Sequence, residues 1–382
     1  MKTLFVHNTI ADYRIPFFVG LNDKIKVAFL FTRKDWSKKI YGNDLDVERI
    51  NKLKYSYLPS GINRYKNIIE EVKKPEYNTI ILPPMDTLSD FIDCLFFFTV
   101  AKMKKKKIMY FGEKWEAPRD KQPTKKYLKN SLQRNAMKSI LRHIDICIVS
   151  GKKSFEYFEA LGVKRDRIKV AIDASGMEIG VKLFDIREKY SMNKDDKIIL
   201  YYGRIIERKG LDILLKAYNE INKNDNKTHL LVCGNGDEFK DTCVKMVSDL
   251  NIKNVIFEGY IAPENRYTYF SQSDIFVLPS YFHNGISEAW GLTVNEALQC
   301  GIPVIATEAV GAAYDLLNGK DGEMIKENSV EDLVRSMKSF LYEKDPSTVK
   351  EECLKVYKKY DYNNMINSFV DAINLVGDND RR

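Results

Sequence analysis

Two glutamates, Glu288 and Glu296, stand with seven residues between them in the stretch SEAWGLTVNEALQCGIPVIAT, residues 287–307. Glu288 precedes an apolar, helix-like segment that Gly291 opens and Gly301 closes, and Glu296 lies in its first turns. A helix start offers unpaired N–H groups to an anion, and glycine lets a phosphate come close. A carboxylate near a bound phosphate is unfavourable unless it serves hydroxyls, and ribose offers two vicinal ones. Glu288, on the loop before the helix, is placed to meet a sugar. The alternatives are that Glu296 favours the helix dipole and that Glu288 is an exposed loop acid. Upstream, GRIIERKGLDILLKAY puts Gly203 and Arg204 at the end of an apolar run and Lys209 before an amphipathic helix. Two cations five residues apart suit a diphosphate, arginine with forked hydrogen bonds and lysine as a point charge. Taken alone that stretch reads as a surface salt-bridge patch. With the two glutamates it reads as a binding site.

Something must bring these residues together. Short apolar runs alternate with helical stretches along the chain: KTLFVHN, IKVAFLF, TIILPP, KIMYFGE and DICIVSG, then KIILYYGR, THLLVCGNG, VIFEGY, DIFVLPS and IPVIATE. Near-continuous apolar strands separated by helices predict parallel sheets covered on both faces. Two series in 382 residues predict an α/β chain of two doubly wound domains, broken within the polar stretch 170–197. Ligands of such folds sit outside the carboxyl ends of the strands, where Gly203, Arg204 and Glu288 fall. The first strand leads into HNTIADYR rather than GxGxxG, and no Walker A sequence follows any strand, which argues against nicotinamide, flavin and P-loop sites. GNGDE (234–238) is too short to cradle phosphates alone.

Composition excludes other classes. No apolar run reaches the ~18 residues of a membrane span; FIDCLFFFTVA is short and carries Asp93, and MKTLFVHNTI does not read as a signal peptide. Six cysteines without a CxxC pair suggest reduced thiols, and with only four histidines they argue against a disulfide framework or zinc site. The net charge of +8 is concentrated: residues 101–143 hold fourteen Lys or Arg against three acids. That segment is either a solvated helix face or a surface attracted to anionic lipid. Nucleic acid is not expected, because no recognition motif or stacking aromatic pattern accompanies the charge.

The stretches GRIIERKGLDILLKA, LLVCGNGDE, FEGYIAPENRYTYFSQSDIFVLPS and SEAWGLTVNEALQCGIPVIAT occur in the order seen in family 4 glycosyltransferases, and the resemblance covers most of residues 198–310. It implies a GT-B fold, with an acceptor-binding domain at 1–172, a linker at 173–185, a nucleotide-sugar domain at 186–360 and a last helix (361–382) packing back on the first domain. Arg204 and Lys209 would then hold the donor diphosphate with the backbone of Gly291, Leu292 and Thr293. Glu296 would take the ribose, Glu288 the donor sugar, and the base would lie near Gly234 and Ile261, with His283 lining the sugar pocket. No metal or cofactor is implied, and DLD (44–46) need not be a metal-binding pair. Many relatives carry a glycine-rich first loop and a histidine at a later strand end. Here those places hold HNTIADYRIPFF and Glu113, so Glu113 is expected to act as acid, base or sugar ligand, tuned by burial beside Trp115. Asn8, Tyr13 and Arg14 fall on the acceptor side. The resemblance further implies retention of configuration, a UDP-sugar donor and a role in surface polysaccharide synthesis. The basic 101–143 segment without a membrane span points to a lipid-linked saccharide acceptor at an anionic membrane surface, and the unpaired cysteines point to a cytoplasmic enzyme. A nucleotide-sugar epimerase and a non-catalytic basic binding protein are the rival expectations.

Overall fold

A computed structural model describes residues 2–34, 50–61, 63–180, 183–223 and 225–378; DLD at 44–46 lies outside them. The chain divides into two compact units. One comprises Met1–Lys114, Tyr127–Asp173 and Tyr362–Arg382; the other comprises Trp115–Lys126 and Ala174–Asp361.

The first series contains β1 (Lys2–His7), α1 (Ile15–Lys24), β2 (Val27–Phe31), β3 (Tyr55–Tyr57), α2 (Asn63–Lys73), β4 (Tyr77–Leu82), α3 (Leu88–Met103), β5 (Lys107–Gly112), α4 (Thr124–Leu141), β6 (Ile146–Val149), α5 (Lys152–Ala160) and β7 (Ile168–Val170). The strands form one parallel sheet in the order β3-β2-β1-β4-β5-β6-β7. Strand order reverses at β1/β4, so the carboxyl ends there open outward. The strand runs legible in the sequence all form. The sheet also gains β3 and β7, three residues each and both at its edges.

The second series contains α6 (Ile186–Lys189), β8 (Lys197–Tyr202), α7 (Leu211–Asn222), β9 (Thr228–Cys233), α8 (Glu238–Asp249), β10 (Val255–Gly259), α9 (Arg266–Ser271), β11 (Ile275–Leu278), α10 (Thr293–Gln299), β12 (Val304–Thr307), α11 (Ala313–Leu316), β13 (Gly322–Ile325), α12 (Val330–Lys338) and α13 (Pro346–Lys359). Its parallel sheet runs β10-β9-β8-β11-β12-β13, reversing at β8/β11. Here too an edge strand, β13, was not legible from apolar patterning. Gly234 follows β9 with φ +146°, and a Cβ there would lie 1.9 Å from the carbonyl oxygen of Gly203. Only glycine lets the loops after β8 and β9 approach this closely.

The last helix, α14 (Tyr362–Asp378), belongs to the first unit and packs on α1. Phe369 carries that contact: its ring stands 4.7 Å from Phe17, 5.0 Å from Phe111 and 6.1 Å from Phe5. Such pairs, edge-to-face with Phe17 and Phe111 and stacked with Phe5, each add about 0.5–1.5 kcal/mol to the burial itself.

Candidate active site

In the second unit the sequence-predicted residues gather around the β8/β11 reversal. Beyond β8 the chain passes Gly203 and Arg204, makes one tight turn at Glu207–Lys209, and enters α7. Beyond β11 it reaches Glu288, whose backbone is pinned beside Val310: its N–H donates to Ala309 at 2.9 Å and its carbonyl accepts from Gly311 at 3.1 Å. The Glu288 carboxylate accepts from Arg208 Nη1 at 2.6 Å and from Lys209 Nζ at 2.7 Å. Burial alone would raise its pKa, but Lys209 and Arg208 outweigh that and hold it at about 2. Tyr281 N–H donates to the Arg208 carbonyl at 3.0 Å, tying the turn after β8 to the end of β11. Two cations meet one carboxylate here. A third, Arg204, is exposed, and its guanidinium has no side-chain partner among the described residues.

The helix expected from Gly291 to Gly301 forms as α10, Thr293–Gln299, between two glycines at φ +97° and +74°. A Cβ on Gly291 would meet Val310 Cγ1 at 2.8 Å, so glycine keeps the turn between Glu288 and α10 tight. Glu296 is buried on α10. One carboxylate oxygen accepts from Ser175 Oγ at 3.0 Å and Arg266 Nη1 at 2.8 Å, while the other is buried with no partner among the described residues. An unpaired buried carboxylate oxygen is costly and suits an incoming hydroxyl.

The loop after β11 is braced by an insertion from earlier in the chain. Trp115 Nε1 donates to the Ala289 carbonyl at 3.0 Å, and Lys121 pairs with Glu327 at 2.7 Å, which accepts from the Phe282 N–H at 2.5 Å. Trp115 therefore supports the loop carrying Glu288, where the sequence pointed to it as a neighbour tuning Glu113. His283, in the same loop, takes a hydrogen bond with Asn284 at 2.7 Å and lies 3.6 Å from Glu207. Ile261 is buried, leaving its backbone as the part a nucleobase could reach.

In the first unit Glu113 follows β5 directly, and its charge partner is Arg14. Arg14 was expected to face an acceptor. Instead it is buried: Nη1 and Nη2 fork onto Asp173 at 2.5 and 2.8 Å, and Nη2 also donates to Glu113. Asn8 caps its own loop by accepting from the Thr9 N–H at 2.8 Å, and the Tyr13 carbonyl accepts from the Tyr362 hydroxyl. Burial, and then Glu113 beside it, push the Asp173 carboxyl up to about 7 against the pull of Arg14.

Four partners went unnoticed in the sequence: Arg208, Arg266, Asp173 and Ser175. Arg208 could have been found, since it adjoins Lys209 in the same tight turn. Asp173 and Ser175 lie in the polar stretch after β7 and carry no local signal; Arg266 opens a six-residue helix far from Glu296 in sequence.

Residues 184–360 match the family described as Glycosyl transferases group 1. The second unit is a group 1 glycosyl transferase domain. The chain is 29% identical over 159 residues to a GDP-mannose-dependent alpha-(1-6)-phosphatidylinositol monomannoside mannosyltransferase of Mycolicibacterium smegmatis, 41% of each chain. It is 26% identical over 313 residues to an uncharacterised 41.2 kDa protein in the cps region of Klebsiella pneumoniae, spanning 79% of this chain and 80% of that one. It thus covers about two-fifths of the mycobacterial relative's length and most of the Klebsiella protein's. The crystal structure of Anabaena HepE in complex with UDP superposes with a TM-score of 0.73 at 13% identity, over 98% of this chain and 100% of that one. The group 1 domain therefore sits within a GT-B fold of two parallel-sheet, Rossmann-like domains.

Proposed function

We propose that this protein is a retaining glycosyltransferase of family 4 type that moves a hexosyl residue from a nucleotide-diphosphate sugar, preferably a UDP-sugar, to a hydroxyl of a lipid-linked saccharide in surface polysaccharide assembly. The observation that carries this reading is the cluster of Arg208, Lys209 and Glu288 at the β8/β11 reversal of a group 1 domain. Two cations on one carboxylate leave a positive charge in a partly buried place, and Arg204 adds another at the surface. A diphosphate satisfies both, and the backbone of Gly291, Leu292 and Thr293 closes the same turn. Glu296, with its unpartnered oxygen, takes the ribose hydroxyls, and the base lies beside Gly234 and the backbone at Ile261.

In the reaction the bond from the anomeric carbon to the diphosphate oxygen breaks, and a bond to the acceptor oxygen forms on the same face. The acceptor proton passes to the departing diphosphate. Lys209 and Arg204 stabilise the charge that develops on that leaving group, work that needs no divalent metal in this reading. Glu288 and His283 orient the donor sugar, and on the first unit Glu113 is the carboxylate for a hydroxyl of the acceptor saccharide.

The acceptor side of this proposal is supported by a solvent-facing apolar stripe in the first unit. Leu88, Leu95, Phe96 and Met103 on α3 and Leu128 and Leu132 on α4 are exposed at helical spacing. Gln133 on α4 donates to the carbonyls of Met85 and Asp86 just before α3, which ties α4 to the start of α3. Exposed Lys102, Lys104, Lys105 and Lys129 flank them. Apolar insertion and lysine charge together suit an anionic membrane surface; among the described residues no helix is long and apolar enough to cross one.

Calorimetric titration with UDP, GDP and ADP tests the donor site. One nucleotide should bind well above the others, and Lys209→Ala with Arg204→Ala should abolish the preference. If none bound, or the double variant bound equally well, the proposal would be wrong. Flotation with phosphatidylglycerol and with phosphatidylcholine vesicles tests the surface. Equal retention on both, or retention unchanged by Leu128→Glu with Leu132→Glu, would count against it.

A further inference from the structure

Arg14, Glu113 and Asp173 come from three loops, after β1, β5 and β7, and meet at the carboxyl edge of the first sheet. We propose that Arg14 and Asp173 are positioning residues which fix Glu113 as a carboxylate that receives a sugar hydroxyl. This rests on the transferase reading above and identifies what holds its first-unit carboxylate in place.

The geometry separates the three roles. The Arg14 fork is closed on Asp173, with both nitrogens engaged, and the two side chains are 2% exposed. That fork engages both terminal nitrogens of Arg14 on one buried carboxyl group. Glu113 is added to it through Nη2, and its side chain is 32% exposed. A salt bridge serving only the fold has no need of a second carboxylate on a cation already forked to Asp173, because the extra, partly buried charge opposes folding. The surplus negative charge is directed to the one member of the cluster that solvent, and therefore a ligand, can reach.

The backbone that carries Glu113 and the cation it pairs with are held from several sides. Ser154 Oγ donates to the Glu113 carbonyl at 3.0 Å, and Ser150 and Ser154 share a hydrogen bond at 2.9 Å. A Cβ on Gly112, the preceding residue, would fall 2.2 Å from the Phe158 ring, so the strand end is packed tight. The Arg14 guanidinium lies over Phe111 at 5.6 Å, and Met365 Sδ of α14 is 3.8 Å from Nη1. Such support is what a group needs in order to hold a hydrogen-bond direction to within tenths of an ångström.

The surplus charge also selects the ligand class. One cation already shared by two carboxyl groups has no positive charge to spare for a phosphate, whereas the exposed Glu113 oxygens can accept from the O–H of a neutral polyol. Glu113 therefore meets a hydroxyl of the acceptor saccharide, and any phosphate of a lipid-linked acceptor lies away from it.

The test is a double-mutant cycle on turnover of UDP-glucose, GDP-mannose or ADP-glucose, whichever the wild-type protein binds, with water and octyl glucoside as acceptors. Glu113→Gln should lower kcat ~10–100-fold while nucleotide binding by calorimetry stays unchanged. Arg14→Lys, which keeps the charge and loses the fork, should cause a similar loss alone and less than ~3-fold more in the Glu113→Gln background. Asp173→Asn, isosteric, serves the same purpose if Arg14→Lys does not fold. Losses that multiply, or a Glu113→Gln enzyme as fast as wild type, would overturn the proposal while leaving the donor site intact. A wild-type protein that bound none of the nucleotides would instead remove the transferase reading, and this inference with it.

Discussion

The two units carry ion clusters of opposite stoichiometry on the same kind of scaffold. At the carboxyl edge of the second sheet two cations, Arg208 and Lys209, share one carboxylate, Glu288. At the carboxyl edge of the first sheet one cation, Arg14, serves two carboxylates, Asp173 and Glu113. With every carboxyl ionised, each cluster is one charge out of balance, in opposite senses; a proton on Asp173 below about pH 7 neutralises the first-unit cluster. A charge left over in a partly dry place costs stability unless a ligand or a proton answers it. In the proposed reading the second unit's surplus answers an anion, and the first unit's answers hydroxyl donors or a proton. Doubly wound sheets put loops at the same edge whatever they bind; the count of cations and carboxylates there distinguishes what each edge accepts.

The largest expected effect comes from removing the cation that has no substitute. Arg14→Ala leaves the buried Asp173 and the half-buried Glu113 without their cation and should cost about 3–5 kcal/mol, read as an early transition in urea unfolding. Lys209→Ala removes one of two cations, and Arg208 remains on Glu288. Its stability loss should be clearly smaller under the same conditions. Equal losses would show that the two clusters do not differ in redundancy.

For turnover the order reverses. If the diphosphate lies on the second unit, Lys209→Ala should reduce kcat by ~10²–10³, the scale of losing one donor to a developing oxyanion. Steady-state kinetics at saturating donor measures this, and a change confined to KM would mean that Lys209 binds donor and transition state equally.

The clusters should also answer pH in opposite directions. Glu288 is held at about 2, below its ordinary value, so its contribution is present above the usual carboxylate range and is lost as pH falls through about 4 towards 2. Asp173 is raised to about 7, so the folded state holds a proton that the unfolded chain releases. Its contribution is present below the ordinary carboxylate value and is lost as pH rises from about 4 through 7. Asp173→Asn should therefore gain on the wild type across that interval, and the penalty of Glu288→Gln should shrink below about pH 4. Thermal unfolding midpoints of both variants from pH 3 to 8 would show parallel slopes if this assignment of charges were wrong.

What the sequence disclosed about these clusters follows from how far apart their members are. Glu288, Glu296 and Lys209 each sit beside a strand end or helix start with a local signature, and the two glycines that bound α10 were visible as glycines. Central strands were visible because both their faces are buried and they read as unbroken apolar runs. The three strands that escaped, β3, β7 and β13, are short edge strands, where one side is unpaired and the apolar run is brief. The Arg14 cluster escaped for a different reason. Its salt bridge to Asp173 spans 159 positions, and no spacing rule joins the loop after the first strand to the loop after the seventh. From the sequence Arg14 was only a basic residue in YRIPFF, and its burial is a product of tertiary structure.

The smallest expected effect separates Arg204 from its buried neighbours. Lys209 is drawn below its ordinary pKa chiefly by burial, with Arg208 and Arg204 adding to the push and Glu288 opposing it. Arg204 is exposed, and its pull on a diphosphate acts through water and salt. An exposed charge is screened over about 8–10 Å at 0.10–0.15 M ionic strength, and a partly buried one much less. Arg204→Ala should weaken nucleotide binding by a few-fold in 0.05 M salt and hardly at all in 0.5 M. The larger loss from Lys209→Ala should persist at both. If the Arg204 effect survived high salt, its guanidinium would be making a forked, desolvated contact with the phosphates, and the anion site would extend out from the buried pair to include it.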